Sequence, residues 1–285
     1  MLTDFDTNIR KIHQAVAIFG PLHNAVRSPR RNFLHLPLHP VPDGLASGLY
    51  PGGGQARLNF KQGTLHYEHP QSGSFTYALA EHTQFGLFQA LLTQMRQDEL
   101  AAFFTAAGDA EPVKFLIDTI NADESKTVFL SLDEVSHDDE KLIFDTDVIG
   151  DYANLQYQVF TGLARFRARL EGHLSPIVVW PEHFDISTLW FKTPEMDEHQ
   201  AHMNFGFTPY TPNQYDMPYL YSYAYPFPDD FEPFDLPEPA AWNLDGWTGI
   251  VVTYDKLMEQ PNLADFVETI AGTIYQRLYP ILADR

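Results

Sequence analysis

The chain has 285 residues, 44% of them hydrophobic and 20% charged, a composition typical of a globular protein with a substantial core. It contains no cysteine, which excludes disulfides, thiolate metal ligands and cysteine nucleophiles. Its formal net charge of −20 disfavours nucleic acids and anionic membrane surfaces, so we expect neither as a partner.

The negative charge is concentrated in two stretches. Residues 109–151 carry thirteen acids and three lysines, and residues 195–245 carry ten acids and no lysine or arginine. Solvated acidic loops explain this pattern, and a surface that docks a cation or a protein partner is the alternative. No apolar run is long enough to span a bilayer and no signal peptide is evident, so we expect a cytoplasmic protein.

The first part of the chain predicts helices around a small antiparallel sheet. Asp6 or Thr7 is suited to cap a first helix, and Thr83 is suited to cap a later one. Alternating apolar residues between them predict a hairpin and a third strand. The predicted elements are a helix from about 7 to 19, a strand at 33–38, strands at 55–61, 64–68 and 75–79, a helix from 83 to 95 and a shorter helix at 98–107.

The second part predicts a similar alternation. The acidic stretch 109–150 is poorly periodic and is interpreted as a connector between a first half, 1–108, and a second half, 151–285. The predicted elements that follow are a helix from 152 to 170, strands at 176–180, 184–191, 203–207, 219–225 and 247–253, and a helix from 263 to 279 capped by Asn262. The fold class is therefore α+β, with antiparallel sheets and packed amphipathic helices. Because both halves predict a helix, about five strands and a helix, a duplicated unit is a hypothesis, with the halves packed as one compact unit.

A Ser, a His and an Asp occur together in the stretch 180–188. On a strand, His183, Asp185 and Ser187 would share one face. Neighbours on one face of a strand are roughly 7 Å apart, whereas a catalytic triad needs convergent atoms about 3 Å apart, so a triad is disfavoured. His183 oriented by Asp185 remains a candidate general base, and a structural Asp185 that holds the strand is the alternative.

Four tyrosines at every second position form the sharpest pattern of the chain. Tyr219, Tyr221, Tyr223 and Tyr225 would line one face of a strand and offer apolar rings together with hydroxyl groups. One interpretation is a sheet face half covered by other segments, and the other is one wall of an aromatic ligand cleft. Trp247 and a proline-rich aromatic stretch at 226–242 lie downstream, and the proline-rich stretch could cover the tyrosines.

The twelve histidines do not follow a recognised zinc-binding spacing. Glu198 or His199 could pair with His202 around a metal on a helical turn, but solvated or core histidines explain the pattern as well. We therefore predict no metal site and no cofactor, and the sequence carries no indication of the oligomeric state.

Short motifs along nearly the whole chain have a characteristic order and spacing. They are Asn32 to Leu38 with Gly44-Leu45, Ser175-Pro176, the stretch from Trp180 to Asp185, Gly206-Phe207 with Pro209, the run from Pro218 to Pro226, and Gly246-Trp247 with Gly249. In these motifs the chain resembles a bacterial family of proteins of similar length that is classified only as a domain of unknown function. The resemblance implies no activity. It favours His35, His183, Asp185, Tyr223 and Tyr225 as positions that the family pattern uses.

Three functions are consistent with these patterns. The first is a protein that binds a small organic ligand in an aromatic cleft lined by His35, the four tyrosines, Trp247, His183 and Asp185. The second is a hydrolase or lyase that uses His183 and Asp185, with or without a metal. The third is an interaction module that uses the acidic loops.

Overall fold

The computed structural model describes residues 2, 4–98, 110–121, 131–228 and 231–283 of the chain. Helices and antiparallel strands are both abundant there, which confirms the predicted α+β class. The helices are α1 (Phe5–Ala17), α2 (Phe19–Val26), α3 (Gln84–Gln97), α4 (Ala110–Asn121), α5 (Leu132–Ser136), α6 (Thr146–Arg167), α7 (Tyr254–Met258) and α8 (Leu263–Ala283). The strands are β1 (His39–Val41), β2 (Gly44–Leu49), β3 (Gln55–Asn59), β4 (Thr64–His69), β5 (Gly73–Ala78), β6 (His173–Leu174), β7 (Val178–Val179), β8 (Ile186–Phe191), β9 (His202–Thr208), β10 (Tyr219–Tyr225), β11 (Ala241–Asn243) and β12 (Gly249–Thr253).

The chain divides into two compact units that are not continuous in sequence. The first unit comprises Met1–Asn154 and Val179–Phe184, and the second comprises Leu155–Val178 and Asp185–Arg285. The stretch predicted as a connector contributes α4, α5 and the first residues of α6 to the first unit.

The first unit contains a sheet whose strands follow one another in chain order. In the described residues it has five strands, β1-β2-β3-β4-β5, each antiparallel to the next. Ala56 lies opposite Tyr67 and Leu58 opposite Leu65, and these four side chains are buried. The predicted hairpin and third strand are therefore confirmed, because the alternating apolar residues form one buried face.

Two predicted details of the first unit are wrong. Helix α1 begins at Phe5, so Asp6 lies inside its first turn and binds Arg10 at 2.9 Å instead of capping the helix. The segment 33–38 is not a strand. Asn32 and Phe33 adopt φ values of 51° and 50°, a left-handed conformation that a strand cannot contain, and Arg31–Phe33 forms a single 3₁₀ turn. The short helix predicted at 98–107 lies almost entirely outside the described residues.

The second unit is built on a larger antiparallel sheet. Its order in the described residues is β11-β12-β10-β9-β8-β6, and β7 pairs with β8. One face packs against α8 and the last turns of α6, where Phe166 contacts Phe205 at 4.8 Å and Trp190 contacts Tyr275 at 5.9 Å between ring centroids. Asn262 Oδ1 accepts a hydrogen bond from the Asp265 backbone at 3.3 Å, which confirms it as the cap of α8.

The hypothesis of a duplicated unit stays a prediction. In the described residues the first sheet is a meander of five strands, and the second sheet has seven, with β12 between β10 and β11. The five strands predicted for the second half, β7, β8, β9, β10 and β12, are neighbours in that order, and β6 and β11 are two further short strands.

Within the described ranges, none of the helices is both long and apolar enough to cross a bilayer.

Candidate functional site

The four tyrosines of β10 lie on one side of the second sheet, as predicted. The strand runs from Tyr219 to Tyr225 and is paired on both sides, with β9 and with β12. Directly opposite residues of antiparallel strands share a face. We call this side the phenol face; it also carries these residues of β9, each opposite one tyrosine: Thr208, Gly206, Asn204 and His202.

Tyr221 is the centre of this face. Its ring lies over Gly206, where an added Cβ would be 2.3 Å from the Tyr221 Cζ atom, so only glycine fits at this position. The hydroxyl reaches past Gly206 and donates a short hydrogen bond to the carboxylate of Asp185, which immediately precedes β8. The absence of a side chain at Gly206 thus allows a contact between β10 and the segment that enters β8.

Tyr223 and Tyr219 are each held by a polar neighbour. Asn204 Nδ2 donates a hydrogen bond to the Tyr223 hydroxyl at 3.0 Å. The Tyr219 hydroxyl shares a hydrogen bond of 2.6 Å with Thr211. These hydrogen bonds fix the hydroxyl groups of Tyr219 and Tyr223. The rings of Tyr221 and Tyr223 are stacked, with an interplanar angle of 11° and centroids 6.4 Å apart.

The far end of the phenol face is formed by His202 and Tyr225, whose ring centroids are 5.3 Å apart. His202 Nδ1 lies 2.8 Å from the Gln200 carbonyl oxygen and must donate to it, so Nε2 is a bare acceptor in the neutral ring. Burial lowers the pKa of His202, which favours this neutral form.

The phenol face is closed at some strands and open at others. All residues of β8 and β9 are buried, on both faces of the sheet. On β10, Tyr219 is buried, Tyr221 and Tyr223 are half-buried, and Tyr225 is 45% exposed. Trp247 is also half-buried and contacts Tyr221 edge-on, with centroids 6.4 Å apart. The accessible part is therefore an aromatic wall made by β10 and Trp247.

Three of the tyrosines on the phenol face, Tyr219, Tyr221 and Tyr223, stay protonated at neutral pH. Burial raises the pKa of Tyr221 well above its ordinary value, and the Asp185 carboxylate raises it further. Burial also raises the pKa of Tyr219 to about 12. The pKa of Tyr223 is raised by burial and by the carboxylates of Asp185 and Glu198, against a lowering by the Asn204 hydrogen bond. These three side chains are therefore phenols and not phenolates.

Two predicted site residues belong to the other compact unit. His183 lies in an exposed turn before Phe184, which has a φ of 57°, and it has no hydrogen-bond partner in the described part of the chain. The strand begins only at Ile186, so His183 and Asp185 do not share a strand face. His35 is buried in the first unit, where its Nδ1 accepts from the Arg30 backbone at 3.2 Å and its Nε2 lies 3.3 Å from Asn24 Oδ1.

The proline-rich aromatic stretch packs on itself. Phe227, Phe231 and Phe234 surround Trp242, with ring centroids 5.1 to 6.1 Å from it. Trp242 lies opposite Ile250, which is on the helix-covered side of the sheet. The expected cover over the four tyrosines is therefore not formed by these rings.

A small apolar cavity lies behind the phenol face, between the sheet and α8. Its volume is about 20 Å³, and its lining includes Leu220, Ser222, Val267 and Ile270. A space of this size holds about one water molecule and is too small for an organic ligand. This cavity is therefore not a site for an organic ligand.

Among the residues that the structure describes, no group of three His, Asp or Glu side chains is arranged to hold a metal ion.

The sequence patterns did not predict Asn204 as part of this site, nor the roles that Gly206 and His202 have in it. The signal was present, because His202, Asn204, Gly206 and Thr208 alternate with Met203, Phe205 and Phe207. This alternation predicts a strand with one polar and one apolar face, whose polar face pairs with that of β10.

Fold and site together define an α+β protein with two antiparallel sheets, one of which carries a half-open aromatic wall. The chain belongs to the family of unknown function DUF5996, which matches residues 1–278. No curated protein and no solved structure matches the chain.

Proposed function

We propose that this protein binds a small organic ligand against the phenol face of its second sheet. Tyr221, Tyr223, Tyr225 and Trp247 supply the aromatic wall, and Asp185 supplies a polar anchor at its inner end. Tyr219 supports the wall from a buried position.

The observation that carries this proposal is the way Tyr221 is positioned. A glycine on the neighbouring strand gives the ring its space, and a carboxylate from a third segment holds its hydroxyl. Binding sites are held by such supporting contacts, because a wall fixed before binding loses less conformational entropy when a ligand arrives.

The chemistry of the wall suits a small molecule with an apolar body. Half-exposed rings offer apolar area, and the phenol hydroxyls and Asp185 offer a few fixed polar groups. Sites for small molecules are usually lined in this manner.

A hydrolase or lyase that uses His183 and Asp185 has less support. Asp185 binds the Tyr221 hydroxyl, and His183 is exposed without a hydrogen-bond partner among the described residues. A general base needs an orienting partner of the kind that His183 lacks here.

A fragment screen by saturation-transfer NMR tests the proposal, using Tyr225→Ala and Tyr279→Ala as a matched pair. Both tyrosines belong to the second unit and have similar exposure, 45% and 42%, but Tyr279 is on α8 and contacts Trp190. We expect fragments that bind the native protein and lose about tenfold in affinity in Tyr225→Ala but not in Tyr279→Ala.

Fragments that bind both variants equally, or a screen without binders, would overturn the proposal. Tyr223→Phe provides a second measure, because it keeps the ring and removes the hydroxyl that Asn204 holds. It should weaken polar fragments more than apolar ones.

A further inference from the structure

We infer that the ligand of the phenol face is an organic ammonium ion that keeps at least one N–H group. This inference rests on the proposed function and adds the class of ligand. It follows from the charges around the face, from two acceptors without a donor, and from the aromatic rings.

The charged groups around the face are negative. Asp185 binds Tyr221, and Glu198 acts electrostatically on Tyr223. Residues 195–245, which contain β9, β10 and the loops beside them, include no lysine or arginine. The carboxylates of this stretch would therefore repel an anionic ligand.

Two arginines of the second unit are engaged on the helix-covered side of the sheet. Arg165 of α6 pairs with Asp265 of α8 at 2.5 Å, and Arg169, two residues after α6, pairs with Glu268 of α8. These two arginines therefore do not attract an anionic ligand to the phenol face.

Two acceptors on the phenol face lack a donor. Asn204 is only 8% exposed, and its Oδ1 has no hydrogen-bond partner in the described residues, because the amide uses Nδ2 to bind Tyr223. His202 Nε2 is likewise without a partner in that part of the chain, since Nδ1 makes the bond to Gln200. The two residues are neighbours on the same face of β9.

An unpaired buried acceptor is costly, and a ligand N–H group that displaces the side chains covering β9 would satisfy it. A neutral imidazole nitrogen and an amide oxygen both accept from an ammonium group, and neither can donate to a carboxylate ligand. The two acceptors therefore favour a cationic ligand with N–H groups, as the nearby carboxylates do.

The aromatic rings favour the same class. The Tyr221 ring centroid lies 6.4 Å from those of Tyr223 and Trp247, Tyr225 follows Tyr223 on the same face of β10, and all four side chains are partly exposed. The faces of such rings attract cations, and aromatic walls are a known way to bind organic ammonium groups. A bare metal ion has no apolar groups that could pack against these rings, so an organic cation fits the site better.

Titrations followed by ¹H–¹⁵N NMR test this inference with four probes of one shape. They are 2-phenylethylammonium, 2-phenylethanol, 3-phenylpropionate and trimethyl(2-phenylethyl)ammonium. We expect 2-phenylethylammonium to bind at least about tenfold more tightly than the alcohol and the carboxylate. The trimethyl ion should be intermediate, because it keeps the charge and lacks the N–H donors.

Three variants test which side chains cause the expected preference for 2-phenylethylammonium. Asp185→Asn and Asn204→Leu should each weaken 2-phenylethylammonium about tenfold, whereas Asp235→Asn, which removes an exposed carboxylate of the proline-rich stretch, should not. Equal loss in Asp235→Asn would show that only net charge matters and would overturn the inference. No loss in Asn204→Leu would show that an internal water satisfies Oδ1 and would also overturn the ammonium assignment.

The two proposals fail in different ways. If the alcohol or the carboxylate binds as tightly as the ammonium and the loss in Tyr225→Ala persists, the ligand class is wrong and the proposed function stands. If none of the four probes shifts residues of the phenol face and the fragment screen also fails there, both are wrong.

Discussion

At the scale of single residues, Gly206 decides how the phenol face is built. An added Cβ would lie 2.3 Å from Cζ and 2.4 Å from the hydroxyl oxygen of Tyr221. The ring would have to leave its place, and the bond to Asp185 would break.

We therefore predict that Gly206→Ala destabilises the protein by about 1–3 kcal/mol, as overpacking of a filled site does. Chemical denaturation measures the change. Gly272→Ala is the matched control, because no atom lies within 4 Å of an added Cβ and helix α8 favours alanine over glycine by about 1 kcal/mol. If both alanine variants were equally stable, Tyr221 would not be locked over Gly206.

A second residue, His23, is expected to make the stability of the first unit sensitive to acid, together with His35 and His39, whose pKa values are also lowered by burial. It is fully buried, its Nδ1 donates to the Leu36 carbonyl at 2.5 Å, and its Nε2 lies 3.2 Å from the Tyr50 hydroxyl. Burial lowers the pKa of His23 well below the ordinary value of about 6.5, and the nearby Arg27 guanidinium lowers it further. In the unfolded chain the ring takes a proton near its ordinary pKa.

The unfolded state thus binds one more proton than the folded state below about pH 6.5. We predict that the stability contributed by neutral His23 is complete above this pH and is lost as the pH falls below it. Unfolding free energies measured from pH 7.5 to 5 should decrease with a slope of up to about 1.4 kcal/mol per pH unit for this residue.

The variant His23→Gln should show a shallower decrease over that range, whereas His137→Gln, at an exposed position, should follow the native curve. A native-like slope in His23→Gln would mean that other groups cause the acid sensitivity.

At the scale of elements, strands with two chemically distinct faces were predictable from the sequence. β10 was predicted with its observed bounds, because alternation with period two is the direct signature of a half-buried strand. The hairpin of β3 and β4 followed from the same rule. The segment 33–38 contains apolar residues as well, yet it forms turns, because the left-handed Asn32 and Phe33 reverse the chain in a way that apolar content does not reveal.

The candidate site was predictable only in part, because it depends on which strands become neighbours. Tyr221 and Asp185 are 36 residues apart in the chain, and their contact requires β9 to lie between β8 and β10 with glycine at one register position. Side-chain pattern within one strand carries no information on this pairing. The same limit explains why His183 was placed beside Asp185: two residues of separation suggested a shared face, but the strand starts after both.

At the scale of the whole molecule, the first compact unit takes a segment from far along the chain. Val179 pairs with Leu38 through two backbone hydrogen bonds of 2.9 Å. Phe184 is fully buried in the same unit, with its ring 5.6 Å from that of Tyr152 and 6.0 Å from that of Phe60. Residues 179–184 therefore complete a core that residues 1–154 begin.

We predict that a fragment of residues 1–154 does not reach the native state of this unit. It would lack a large aromatic side chain, and truncation of a buried phenylalanine to alanine alone costs about 3–5 kcal/mol, a large part of the stability of a typical domain. The expected result is a poorly dispersed ¹H–¹⁵N spectrum and a non-cooperative thermal transition.

A synthetic peptide of residues 177–186 added in excess should restore dispersion, and the same peptide with Phe184→Ala should not. A fragment that unfolds cooperatively without the peptide would show that the unit is complete without residues 179–184. In that case Phe184→Ala in the full chain should cost far less than about 3 kcal/mol, which gives a second, independent measure of the same claim.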